Sequence, residues 1–205
     1  MDSGLTTQAQ GDAVSKRGAI ILARHGEPAL SRKVRLTAAE YRDFWASYEV
    51  GGILPGQTPP VRLCRFVSEC QILVTSTRRR AIESAQTMAG ERVFDRHDML
   101  IEAPLPPPNL PGWIRLSPRI WGFVARVWWW YFNHHEGQET RAQAEARADG
   151  AATLLIGLAE EGGDVVVLAH GFFNHLIGRA LKRRGWRLAE SEGYKYWSMR
   201  RFESA

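Results

Sequence analysis

Ala19-Ile20-Ile21-Leu22-Ala23-Arg24-His25-Gly26-Glu27-Pro28 is the stretch that decides the fold. Five apolar residues run without a break into an arginine, a histidine and a glycine, which reads as a strand buried on both faces that stops in a reactive turn. Val165-Val166-Val167-Leu168-Ala169 runs in the same way into His170-Gly171. Ligands of an open parallel sheet bind beyond the carboxyl ends of its strands, so two such strands side by side would bring both histidines into one crevice.

Working outward, apolar runs alternate with helical patterns. Thr37-Ala38-Ala39-Glu40 has capping-box spacing, and Tyr41, Phe44, Trp45 and Tyr48 follow on one helical face expected to pack on the sheet, with Gly51-Gly52 as the stop. Pro59-Pro60 opens a helix through Cys64 to about Glu69, and Gln71 to Thr75 is a second buried strand. A helix closed by Ala89-Gly90 follows it, with Arg80 in its first turn. Val93 to Asp95 is predicted as a third strand, and Asp98 to Glu102 as an extended segment along the rim.

Leu105-Pro106-Pro107-Pro108 and Pro111-Gly112 enforce an extended loop. Ser117-Pro118 then starts a helix through Phe132, so dense in aromatics that burial on more than one side is expected, either wedged under the loop or as a lid lining the site. Thr140 to Gln143 caps a long alanine-rich helix that Gly162-Gly163 stops. Phe173 to Leu181 marks the helix after His170, ended at Gly185, and Tyr194 to Phe202 a last strand at an edge. This order predicts a three-layer α/β/α fold, a mainly parallel central sheet with helices on both faces. A flexible tail is expected over residues 1–18 and a single domain over 19–205, with a Pro/Trp-rich insertion at about 103–138.

The 205 residues carry a net charge of +5, with 44% hydrophobic residues and no apolar run long enough to span a membrane. The polar opening lacks the apolar core of a secretory signal, so a cytoplasmic location is expected. Arg78-Arg79-Arg80 and Lys182-Arg183-Arg184 are short clusters with no nucleic-acid module around them, so no nucleic acid is expected as partner, and the charge points to a small anionic substrate. Cys64 and Cys70 read as reduced thiols near a helix, and His97, His134 and His135 as surface or loop residues, because neither set has metal-ligand spacing.

Two histidines and two arginines at strand ends suit phosphoryl transfer, in which catalysis is largely positioning and electrostatic clamping. The arginine fork fits phosphate oxygens, and a neutral imidazole is a competent nucleophile near neutral pH. Glycine after each histidine is expected to permit a sharp turn and close approach of phosphate.

Arg24-His25-Gly26-Glu27, then Thr75-Ser76-Thr77-Arg78-Arg79-Arg80-Ala81 with Ser84-Ala85, then Ala169-His170-Gly171 resemble in that order the histidine phosphatase superfamily, the phosphoglycerate-mutase-like fold. The resemblance runs from about Ala19 to Gly185. It implies a phosphatase that hydrolyses a phosphomonoester through a phosphohistidine on His25, without cofactor or metal. Arg24, Arg80 and a cationic His170 would clamp the phosphoryl oxygens, with Ser76 and Asn174 adding hydrogen bonds. Glu102, in Asp98-Met99-Leu100-Ile101-Glu102, would be the general acid, with Glu136 or Glu139 as alternatives. Thr77 and Arg78 replace the family's usual Pro and Leu, the segment after Glu102 is proline-rich where the family continues to a Gly-x-Trp-Glu-Gly-like sequence, and Gly137-Gln138-Glu139-Thr140 only echoes its Gly-Glu-Ser-like segment. A mutase-type phosphotransferase and a non-catalytic phosphate-binding module are the alternative functions, and a protein-interaction surface on the tryptophan-rich segment is a further one.

Overall fold

The computed structural model describes residues 17–205. The tail expected over 1–18 falls outside the described residues up to residue 16. Arg17 and Gly18 are tied to the body, through an ion pair with Glu160 and a bond from the Gly18 amide to the Ala159 carbonyl.

In chain order the elements are β1 (Ile20–Arg24), α1 (Ala38–Val50), α2 (Val61–Glu69), β2 (Ile72–Ser76), α3 (Arg79–Ala89), β3 (Asp95–His97), α4 (Pro118–Phe132), α5 (Arg141–Gly162), β4 (Val165–Ala169), α6 (Gly171–Arg183), β5 (Trp186–Ser191) and β6 (Met199–Ser204). The strands form one sheet in the order β3-β2-β4-β1-β6-β5. β1, β2, β3 and β4 run parallel, and β6 is antiparallel to both its neighbours. The expected three-layer α/β/α architecture is the one found.

Alternation along the central strands sorts their side chains into two cores. Ile20, Leu22, Val165 and Val167 face α5 and α6 together with Ala125 and Trp129 of α4, whereas Ile21, Ala23, Val166 and Leu168 face α2 with Leu63 and Val67 and α3 with Ala85. Both capping boxes form, at Thr37 with Glu40 and at Thr140 with Gln143. A third apolar cluster joins Tyr41 of α1 to Trp121 of α4, their rings stacked 5.8 Å apart. The aromatic face of α1 therefore packs on α4, not on the sheet as its periodicity suggested.

Four other expectations need correction. The third strand is Asp95–His97, two residues later than expected, because parallel pairing aligns Asp95 with Val74, and Val93 is left exposed. Asp98–Leu100 is a 3-10 turn, not an extended rim. The last strand begins at Met199 and lies inside the sheet; the edge belongs to β5, and Tyr194–Trp197 is loop. Finally, α4 buries Trp121, Gly122, Ala125 and Trp129 on one side and leaves Ile120, Phe123 and Tyr131 exposed on the other.

No helix among the described residues is long and apolar enough to cross a membrane. Cys64 and Cys70 are free thiols, and burial pushes that of Cys70 up.

Candidate active site

Parallel pairing sets Arg24 opposite Ala169, so the next residues, His25 and His170, leave the sheet side by side. The His25 amide donates to the Ala169 carbonyl at 3.0 Å, and the two imidazoles meet edge to face with centroids 5.1 Å apart. His25 Nδ1 lies 2.7 Å from the Gly26 carbonyl oxygen. Only a protonated Nδ1 can make that bond, which leaves the lone pair of the neutral ring on Nε2. Burial, followed by the Arg80 and Arg24 charges, holds the pKa of His25 well below its ordinary 6.5.

His170 Nε2 lies 2.8 Å from Ser76 Oγ at the end of β2. Ser76 Oγ also accepts from the Arg78 amide at 3.4 Å, and when its hydroxyl donates to Nε2 the proton of neutral His170 stands on Nδ1. That Nδ1 is buried without a partner. The expected cationic His170 is not a property of the protein alone, because burial and the neighbouring Arg80 charge keep its pKa well below 6.5.

Arg80, second residue of α3, is fully buried. Its Nη1 donates to the Tyr48 and Glu49 carbonyls at 2.9 and 3.3 Å, and its Nη2 to Glu49 Oε1 at 2.8 Å. These acceptors close the C-terminal end of α1, where a helix carries partial negative charge. Glu49 also reaches Arg78 Nε at 2.8 Å, so one carboxylate orients two arginines. Arg24 Nη1 donates to the Tyr194 carbonyl at 2.6 Å, and its guanidinium lies 4.2 Å from the centre of the Tyr196 ring. The Nε atoms of Arg24 and Arg80 are buried without partners, an expensive state for donors unless a ligand takes them.

The glycines act differently from expectation. A Cβ on Gly26 would stand 2.4 Å from the Trp197 indole, whose own backbone holds a left-handed φ of 62°, and the Gly26 amide donates to Ser84 Oγ of α3 at 2.9 Å. Gly26 thus makes room for an aromatic ring behind His25. A Cβ on Gly171 would press to 3.1 Å from Arg24 Nε. That glycine lets the arginine lie against the start of α6.

Glu102 is buried beside the same helix start. Its Oε1 accepts from the Phe173 amide at 2.8 Å and from the Ala103 amide at 3.2 Å, and its Oε2 from the Phe172 amide at 3.3 Å. Glu136 and Glu139 are taken up elsewhere: Glu136 is held by Arg42 at 2.5 and 3.1 Å, and Glu139 by Arg147 at 2.7 Å through each oxygen. Asn174 Nδ2 donates to the Ala23 carbonyl at 3.0 Å, which ties α6 to β1 and engages one of its two N–H groups. Ser76 supports His170.

Sequence reasoning missed Glu49, Tyr196, Arg32 and Arg126. Tyr196 lies 5.8 Å from His25 between ring centres, and its hydroxyl is buried without a partner. The Arg32 guanidinium lies 5.2 Å from the Tyr48 ring centre and 5.9 Å from that of Tyr196. Glu49, Tyr196 and Arg32 come from a helix end and from loops, where no periodicity marks them, and Arg126 lies inside α4, whose all-round apolar pattern marks no face. A cavity of about 400 Å³ opens beside Arg24 and Gly171, walled by Phe172, His175, Tyr194 and Arg126 of α4.

No protein-family model and no curated protein sequence matches the chain. Solved structures do. Glucosyl-3-phosphoglycerate phosphatase from mycobacteria aligns over 82% of this chain and 81% of its own, at 23% identity and a TM-score of 0.53. A histidine-to-alanine variant of Entamoeba histolytica phosphoserine phosphatase in complex with phosphoserine covers 81% and 80%, at 15% identity and a TM-score of 0.53. The same phosphatase in complex with 3-phosphoglyceric acid covers 92% of this chain and 98% of its own, at 15% identity and a TM-score of 0.53. The fold of this chain is theirs.

Proposed function

We propose that this chain is a metal-independent phosphatase of the histidine phosphatase superfamily, acting on small phosphomonoesters. One observation carries the reading: His25 has its Nε2 lone pair free beside three buried donors without partners, Arg24 Nε, Arg80 Nε and His170 Nδ1. Three donors around a nucleophile fit a tetrahedral oxyanion, and the shared fold with two phosphatases supports the same class.

In the first step His25 Nε2 attacks phosphorus, the bond from phosphorus to the ester oxygen breaks, and the leaving oxygen takes a proton from Glu102. In the second, a water gives its proton back to Glu102 and attacks the phosphohistidine, the nitrogen–phosphorus bond breaks, and phosphate leaves. Arg24, Arg80 and His170 hold the equatorial oxygens throughout. The Gly26 carbonyl keeps the His25 proton on Nδ1 and, by accepting that hydrogen bond, stabilises the positive charge that develops on the ring.

The test is hydrolysis of p-nitrophenyl phosphate with chelator present. Wild type is expected to turn over, and His25→Ala to lose about a thousandfold or more in kcat, the scale of removing a nucleophile. Phosphate binding by a folded wild type without turnover at any pH would instead identify a binding module.

A further inference from the structure

The phosphate clamp leaves Arg126 unexplained. It lines, from α4, the cavity of about 400 Å³ that Arg24 and Phe172 also line. Its Nη1 donates to the Gly122 carbonyl of its own helix at 3.2 Å. Neighbouring arginines are matched: Arg42 with Glu136, Arg141 with Glu145, Arg147 with Glu139 and Arg179 with Glu145. Among the described residues no carboxylate comes within ion-pair distance of Arg126. Glu102, the acid on that side, accepts from the amides of Ala103, Phe172 and Phe173 and acts on Arg126 only from beyond ion-pair distance. Burial also pushes the Arg126 pKa down. A half-buried guanidinium with no carboxylate in contact is costly, and an anion bound in the cavity would relieve it.

The cavity that the two arginines share has an aromatic wall in Phe172. The Arg126 guanidinium lies 5.4 Å from the centre of the Phe172 ring. That ring is held edge to face by Trp129 at 5.7 Å and stacked by His175 at 6.4 Å, so it forms a fixed aromatic floor.

We infer that Arg126 forms a second oxyanion site, so that the substrate carries its phosphoryl group at Arg24 and a further anionic group at Arg126, separated by a flat or apolar body that rests on Phe172. This rests on the phosphatase reading for the identity of the first group, and it makes a residue of the Pro/Trp-rich insertion the selector of substrate. A planar carboxylate suits the guanidinium fork, and a second phosphoryl group offers the same oxygens.

Calorimetric binding separates the possibilities without requiring turnover. The probes are phenylphosphonate, 4-phosphonobenzoate with its 3-isomer, and 1,4-phenylenediphosphonate. Wild type is expected to bind at least one doubly anionic probe about tenfold or more tighter than phenylphosphonate, the scale of one charge-assisted hydrogen bond. In Arg126→Gln that ratio is expected to fall to near one, and Arg126→Lys to recover part of it. Whether the carboxylates or the diphosphonate gain more names the second group. Equal binding of all probes by wild type, no binding of any doubly anionic probe, or a ratio that survives Arg126→Gln in a folded variant overturns the inference. A preserved ratio in wild type without hydrolysis of p-nitrophenyl phosphate would remove the phosphatase reading and leave the second site standing. Hydrolysis without a ratio does the reverse.

Discussion

His25 takes its tautomer from the carbonyl of the residue that follows it, 2.7 Å away, so which ring nitrogen keeps its lone pair is set by local backbone geometry. With its pKa held well below 6.5 by burial and two arginines, His25 stays neutral as pH falls through 6.5. The acid limb of kcat/KM should therefore lie well below pH 6.5; a pH–rate profile with an acid limb centred near 6.5 would contradict the neutral buried nucleophile. Glu49 offers a second test. Replacing it by Gln removes the charge that orients Arg78 and Arg80, and kcat/KM should fall about tenfold while Glu49→Asp retains part of the rate. His25, Arg24, Arg80 and His170 were legible in the sequence because each follows or ends a strand-like run or opens a helix. Glu49 was not, since its role depends on where α1 ends relative to α3, and Tyr196 sits in a loop that reads like the start of a strand.

At the scale of elements, α4 shows where pattern and packing part. Its aromatics run round the whole helix, yet only the side with Trp121, Ala125 and Trp129 enters the core. Trp129, fully buried under Phe172, should cost about 3–5 kcal/mol when cut to alanine, measured by urea unfolding. Phe123, 66% exposed, should cost no more than about 0.5 kcal/mol when cut to serine. Near-equal losses would mean that both faces are covered. Periodicity located this helix and its Ser117 cap but gave no face, because a helix apolar all round carries no stripe to read. β5 was missed for a different reason. Trp186-Arg187-Leu188-Ala189-Glu190-Ser191 is short, follows directly on the stop of α6 and has a register shift between Leu188 and Glu190, so its alternation breaks midway.

Across the whole molecule, the two buried histidines couple stability to pH. Above about pH 6.5 both are neutral folded and unfolded and contribute nothing. As pH falls below 6.5 the unfolded chain takes up protons that the fold refuses at His25 and His170, so stability declines by up to about 1.4 kcal/mol per pH unit for each, until the lowered folded values are reached. Thermal unfolding from pH 7 to 5 should show this fall, and His170→Ala should flatten it; a variant that follows the wild-type slope would mean that His170 already protonates in the fold. The parallel pairing of β1 with β4, which brings these histidines together, was legible from two matching apolar runs, whereas the position of β6 inside the sheet depended on a partner strand that the pattern did not reveal.

The same topology settles how the protein can be handled. β1 starts from Gly18 beside Gly163, at the end of the sheet opposite Arg24, and antiparallel β6 delivers Ala205 to that same end, with Ile20 paired to Phe202. Both ends of the described chain thus lie at the end of the sheet away from the histidine crevice. A fluorescent domain fused after Ala205, or attachment to a sensor surface through that end, should leave the histidine crevice facing bulk solution and its ligands free to arrive.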